Sequence, residues 1–134
     1  MNEIKLSNSQ LKLISGKTVN ISYNETDDIL EIFFSYNEPA TGIELTDNIL
    51  LRINRTSGQA VSLTILHLFI LSERTEFGPR SYQLENLDDL PEELQELIVR
   101  IITTSPVNQF LKLSHFQESP TKRVPFTYVE PYVR

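Results

Sequence analysis

Two histidines are the side chains of this sequence best suited to hold a metal ion. His67 lies inside a short apolar run, and His115 lies far along the chain from it. Two histidines form a metal site only when a carboxylate is close in space, and no ligand spacing in the sequence indicates one. We therefore predict no metal site, with His67 in the core or at a strand edge and His115 on the surface.

Four carboxylates also lie close together in the sequence, at Glu25, Asp27, Asp28 and Glu31. They lack the Asp-x-Asp-x-Asp-Gly spacing of a calcium loop. A carboxylate pair that performs acid–base catalysis needs an apolar pocket to separate its two pKa values, whereas a hairpin turn is normally wet. The group therefore indicates a turn, in which we expect Asp28 to accept backbone hydrogen bonds.

The sequence lacks the residues that several other classes of catalytic site require. The chain has no cysteine, which excludes disulfides, thiol catalysis and zinc–thiolate sites. It has four glycines, and neither a Gly-x-Gly-x-x-Gly sequence, a phosphate loop nor a Gly-x-Ser-x-Gly elbow occurs. We predict no catalytic residue and no cofactor.

The balance of charge argues against a nucleic acid as the partner. The chain carries 18 acidic and 12 basic side chains, a net charge of −6, whereas nucleic-acid-binding surfaces are basic. The one mixture of basic and aromatic residues lies near the C-terminus. Besides Lys122 and Arg134 it contains the candidate interaction residues, Arg123, Phe126, Tyr128 and Tyr132.

Neither the N-terminal segment nor the longest apolar run indicates export or insertion into a membrane. Residues 1–13 lack the basic and apolar regions of a signal peptide. The longest apolar run, from Ile65 to Leu71, is too short to span a bilayer and contains a histidine. The sequence predicts a soluble cytoplasmic protein.

The elements that would position any site are strands in the first half of the chain. Apolar and polar residues alternate with a period of two from Val19, and short polar turns separate the alternating runs. This pattern predicts an antiparallel β-meander over residues 19–71, with Gly58 in the left-handed position of a hairpin loop. Residues 66–71 fit a strand or a helix equally well.

The second half predicts one main helix over residues 89–104. Asp89 and Glu92 fit a capping box, and Pro91 suits the first turn. Six apolar residues follow the helical period and form one stripe, Leu90, Leu94, Leu97, Ile98, Ile101 and Ile102. We expect this stripe to cover the sheet, giving a single α+β domain over residues 1–134.

Residues 119–134 predict an extended arm. Val124, Phe126 and Tyr128 alternate like a strand, but Pro125 lies within the run and Pro131 follows it. Proline restricts such a segment to a sheet edge or an extended arm. The arm is too apolar to remain free in water, so we expect it to dock on its own sheet edge or on a second subunit.

The β-rich segment resembles a known family. Tyr23 is followed five residues later by Asp28 and then by alternating apolar positions at Leu30, Ile32 and Phe34. Together with Ile43 to Leu51, and with Gly58 followed by Val61 to Leu66, this resembles the domain-of-unknown-function 2283 family of small prokaryotic proteins over residues 19–71. The resemblance implies a small antiparallel sheet with no assignable chemistry, and for some relatives a small toxin-like partner.

These observations favour a non-enzymatic protein–protein interaction domain whose partner is itself, as a homodimer, or another protein. Two alternatives remain. One is an enzyme or small-ligand binder with a pocket between the helix and the sheet. The other is an antitoxin-like regulator that binds a small toxin.

Overall fold

Alternating apolar residues build a six-stranded sheet from the first part of the chain. The computed structural model describes residues 6–12, 16, 18–67, 74–75, 78–79, 82–84, 86–119 and 122–129. The strands of this sheet are β1 (Leu6–Lys12), β2 (Thr18–Asn24), β3 (Ile29–Phe33), β4 (Thr41–Thr46), β5 (Ile49–Asn54) and β6 (Gln59–Leu66). The chain divides into two compact units, residues 1–69 and 70–134, and the sheet belongs to the first.

The strand order is β1-β2-β3-β6-β5-β4, and every neighbouring pair is antiparallel. The predicted fold class, α+β with an antiparallel sheet, is confirmed. The order differs from a simple meander at one point, because β3 pairs with β6 rather than with β4. The loop after β3 therefore crosses to the far edge of the sheet, and β3 to β6 form a Greek key.

The period of two gives the sheet two different faces. The side chains of one face are almost completely buried, as the alternation predicted. They are Val19, Ile21, Leu30, Ile32, Ile43, Leu45, Ile49, Leu51, Ile53, Leu63 and Ile65. The other face, which we call the mixed face, combines apolar and polar side chains. It consists of Asn20, Ser22, Ile29, Glu31, Phe33, Leu50, Arg52, Ser62, Thr64 and Leu66, most of them half-buried.

Two segments at the ends of this unit refine the sequence-based expectations. Residues 6–12, which precede the predicted meander of residues 19–71, are a strand that pairs with β2 along its whole length. Strand β6 ends at Leu66, and His67 follows with a positive φ of 58° and an exposed side chain. His67 is therefore not a core residue, while residues 68–71 lie outside the described part of the chain.

The second unit contains helix α1 (Glu92–Ile102), between 3₁₀ turns at Leu87–Asp89 and Val107–Gln109. Four of the six residues of the predicted stripe are buried, Leu94, Ile98, Ile101 and Ile102, while Leu90 and Leu97 are half-buried. Helix α1 contacts the second 3₁₀ turn and strand β10 (Leu111–Ser119). Within the described residues, no helix has the length and apolar character to cross a membrane.

The predicted capping box is wrong. Asp89 ends the 3₁₀ turn, and Pro91, which has no side-chain hydrogen bond to offer, precedes the first helical residue. The Gln95 amide instead reaches back, where its Nε2 donates to the Leu90 carbonyl at 2.7 Å. The helix therefore starts at Glu92, three residues later than predicted.

Part of the predicted C-terminal arm is a regular strand in its own chain. Strand β11 (Lys122–Val129) pairs with β10 on one side and with β9 (Tyr82–Gln83) on the other. Pro125 lies opposite His115 of β10 and outside the two positions that pair with β9. A proline is accepted there because the short pairing of β11 with β9, which involves only Phe126 and Thr127, does not need its missing N–H. Strands β7 (Arg74–Thr75) and β8 (Gly78–Pro79) form a separate two-stranded ladder.

Candidate interaction site

One row of the mixed face brings together an aromatic ring, a hydroxyl and a guanidinium. Ser62 of β6 is the cross-strand partner of Phe33 on β3 and of Arg52 on β5. Cross-strand partners on one face have their Cβ atoms about 5 Å apart. Gly42 of β4 follows Arg52 in the same row and contributes no side chain of its own beside Arg52. Arg52 is exposed at this end of the row.

Tyr36, in the loop after β3, contacts this row through Phe33. Its ring stacks on Phe33 with a centroid separation of 5.5 Å and an interplanar angle of 18°. Tyr36 is 55% exposed. One side of its ring contacts Phe33, and much of the rest of the side chain is open to solvent.

The loop that carries Tyr36 begins at a β-bulge. Strands β5 and β6 shift register between Arg52 and Ile53, which leaves Val61 as the extra residue of β6. The Val61 carbonyl accepts hydrogen bonds from the amides of Phe34 at 2.9 Å and Ser35 at 3.2 Å. A bulge turns a backbone group out of the ladder, and here that group fixes the first residues of the loop.

A carboxylate fixes the other end of the same loop. The Ser35 hydroxyl donates to Glu38 Oε2, and Asn54 Nδ2 donates to Glu38 Oε1 at 2.8 Å. Glu38 thus joins the loop after β3 to the end of β5. Asn37, between Tyr36 and Glu38, has a φ of 59°, a left-handed conformation that asparagine tolerates better than most residues.

Asn54 is itself held by the hairpin that follows it. Its Oδ1 accepts hydrogen bonds from the amides of Thr56 at 2.9 Å and Ser57 at 3.2 Å. Its carbonyl accepts a hydrogen bond from the Gly58 amide, and Gly58 has a φ of 71°, so its predicted left-handed position is confirmed. The loop that carries Tyr36 is therefore held at two places, by the Val61 carbonyl at the β-bulge and by Asn54 at the start of the β5–β6 hairpin loop.

The Ser62 hydroxyl has no hydrogen-bond partner among the described residues, although Ser62 is only 3% exposed. A buried hydroxyl without a partner costs about 1–3 kcal/mol. Its neighbour Arg52 has neither an ion pair nor a hydrogen bond within the described part of the chain. The centre of the mixed face thus combines polar groups whose bonding capacity is unused with an aromatic stack.

The acidic group of the β2–β3 turn makes bonds within the turn. Tyr23 Oη donates to Asp28 Oδ1 at 2.7 Å, and Asp28 has a φ of 56°. Asn24 Oδ1 accepts the Asp27 amide at 3.1 Å. The hydrogen bond to Asp28, then partial burial, then the charges of Asp28 and Glu25, raise the pKa of Tyr23 from 10.0 to about 12.

This raised pKa predicts a pH-dependent contribution of Tyr23 to stability. The fold favours the protonated phenol, so the folded state binds more protons than the unfolded state between about pH 10 and 12. The stabilising effect is complete below pH 10 and is lost as the pH rises through 12. We expect the free energy of unfolding of Tyr23→Phe to lie about 1 kcal/mol below that of the wild type at pH 8, and the gap to close toward pH 12.

Urea denaturation at pH 8 to 12 measures this gap, and Tyr36→Phe, at an exposed tyrosine, is the matched control. A gap that stays constant over the whole pH range would contradict the assignment of the effect to the Tyr23–Asp28 bond.

The residues predicted to form an interaction site belong to the second compact unit. Arg123, Phe126 and Tyr128 belong to strand β11, and Tyr132 lies outside the described residues. Within the described residues, no group of three or more histidine, cysteine or acidic side chains is arranged to hold a metal ion. An open groove follows the polar side of helix α1 and is lined by Glu92, Gln95, Glu96, Val99, Arg100 and Thr103.

Comparison with protein-family models, with curated proteins and with solved structures gives no match. The resemblance of residues 19–71 to the domain-of-unknown-function 2283 family therefore stays a prediction.

Sequence reasoning missed Tyr36, Glu38 and Arg52. The residues that surround Tyr36 include proline and glycine, so they indicated only a loop. One signal was available, since an aromatic residue in an otherwise polar loop has no core position to fill. Arg52 was visible as the single charged residue inside an apolar strand, but its neighbours depend on the pairing of β5 with β6.

Proposed function

We propose that this chain is a non-enzymatic protein–protein interaction domain that binds through Tyr36 and the neighbouring mixed face. The observation that carries the proposal is the stack of a half-exposed Tyr36 on Phe33. Tyrosine and arginine are over-represented among the residues that dominate binding energy at interfaces. Arg52 lies in the same row of the sheet as Phe33, within reach of the same partner.

The anchoring of the loop supports the same proposal. A side chain that is already held in position loses little entropy when a partner binds it. Glu38 holds the loop to Asn54, and the Val61 carbonyl holds its start. A tyrosine carried by such a loop suits recognition of a partner that is itself folded. The C-terminal residues Arg123, Phe126, Tyr128 and Tyr132 stay a proposed second contact.

Affinity capture with paired baits tests this function. The full chain and its Tyr36→Ala variant are immobilised and exposed to lysate from the source organism, and bound proteins are quantified by mass spectrometry. We expect a specific partner to fall at least about tenfold with Tyr36→Ala, the loss expected for a residue that dominates an interface. Thr56→Ala, at an exposed position of the neighbouring turn, is the control and should capture the same proteins as the wild type. Identical capture by all three baits would contradict the proposal.

A further inference from the structure

The mixed face has a charge arrangement that complements itself. Strand β6 runs along its middle, with Ser62 and Thr64 in successive rows. Glu31 of β3 is the partner of Thr64, and Arg52 of β5 is the partner of Ser62. The acidic and the basic side chain therefore lie on opposite sides of β6 and in different rows, so the line that joins them crosses the centre of the sheet.

We propose that the occupant of the mixed face is a second copy of this chain, related by a two-fold axis that passes between Ser62 and Thr64. This inference rests on the proposed function and names its partner. A two-fold axis that runs parallel to the sheet over the mixed face, and crosses the line from Arg52 to Glu31 at right angles above its midpoint, places each of these positions opposite the other. Each Arg52 then meets Glu31 of the other copy, and the ion pair forms twice, as a two-fold interface requires.

The surroundings of Arg52 and Glu31 within the single chain support this arrangement. Neither Arg52 nor Glu31 has an ion-pair partner among the described residues, and Glu31 is half-buried. A carboxylate that has lost part of its hydration gains more from a cation than a fully exposed one does. The same axis sets Phe33 of one copy over the Ser62 row of the other, near the centre of the face.

The size of the mixed face determines the affinity that we expect for the dimer. Six strands at a spacing of about 4.8 Å span about 24 Å, and the shortest central strand, β3, has five residues. A footprint of this size belongs to the class of weak and transient interfaces. The dimer is therefore expected at protein concentrations of tens to hundreds of micromolar rather than at nanomolar concentrations.

Sedimentation equilibrium of the full chain and of charge-reversal variants tests the inference. Arg52→Glu places two acidic groups together in each contact, and Glu31→Arg places two basic groups together. We expect either change to weaken the dimer at least about tenfold, because like charges at an interface cost several kcal/mol. An equimolar mixture of the two variants should associate again, because both contacts of the mixed dimer then join opposite charges. The double variant should dimerise like the wild type.

Each remaining outcome is also decisive. If Glu31→Arg does not fold, Glu31→Gln and Arg52→Gln replace the reversals, and each should weaken the dimer without repulsion. A wild-type monomer at millimolar concentration overturns the inference, while a partner captured in a Tyr36-dependent manner would still support the proposed function. A dimer that ignores both charges places self-association elsewhere, for example on strand β11. If the mixture of the two variants dimerises as weakly as each variant alone, the charges act on folding rather than on the contact, and the inference is overturned.

Discussion

Replacing Ile98 with aspartate is expected to unfold the second compact unit. Ile98 is 0% exposed and lies on the buried side of helix α1, together with Leu94 and Ile102. A carboxylate at this position loses its hydration and gains no partner, which costs at least about 3 kcal/mol. Since whole domains are stable by only about 5–15 kcal/mol, we expect insoluble protein or the loss of a cooperative transition from this unit.

The matched control is Glu96→Asp, on the exposed side of the same helix. It introduces the same residue and the same cost in helix propensity without the burial, so it should change stability by less than about 1 kcal/mol. Far-UV circular dichroism during thermal and urea unfolding measures both variants. A wild-type transition for Ile98→Asp would show that the apolar stripe of helix α1 does not face a core.

The second large effect is expected in the first unit, from Leu63→Ala. Leu63 is 0% exposed and pairs with Ile32 on one side and Leu51 on the other, at the middle of the six-stranded sheet. Buried leucine-to-alanine changes cost about 2–5 kcal/mol, because a cavity remains. We expect about 3 kcal/mol here, since neighbours on two paired strands have little freedom to collapse inward.

Thr64→Ala is the control for this change. Thr64 is the next residue of β6 and points to the mixed face, where it is half-buried. Its replacement should cost less than about 1 kcal/mol, mainly through the lower β-propensity of alanine. The chain lacks tryptophan, so circular dichroism is the readout, at protein concentrations below those of the proposed dimer. Equal losses for the two variants would mean that the two faces of the sheet are not distinguished by burial.

The strands of the first unit could be predicted from the sequence because their burial imposes a period of two. Val19, Ile21, Leu51 and Leu63 all lie on the buried face that this period indicates. The order of the strands could not be predicted in the same way. Short turns identify which neighbours in sequence form hairpins, but the choice of β6 as the partner of β3 is a long-range event that leaves no local pattern.

The errors near the ends of elements have a similar origin. Strand β1 contains mostly polar residues, and its conformation is imposed by pairing with β2 rather than by its own apolar period. The start of helix α1 was misplaced because Asp89 has the right type for a cap, whereas the chain reaches the helix through a 3₁₀ turn and Pro91. Tyr36 lies in an irregular loop, where no period indicates its contact with Phe33.

The pairing of β3 with β6 also determines when the sheet can form during synthesis. Strands β1 to β3 are complete as one hairpin series when β3 leaves the ribosome, but the outer edge of β3 has no partner until β6 follows roughly thirty residues later. During that interval the nascent chain presents an open strand edge, which readily recruits other chains. The final joining step closes a long loop and is slow compared with hairpin formation. Nascent chains on neighbouring ribosomes are thus exposed to strand exchange at β3, and slow translation of residues 34–66 would lengthen that exposure.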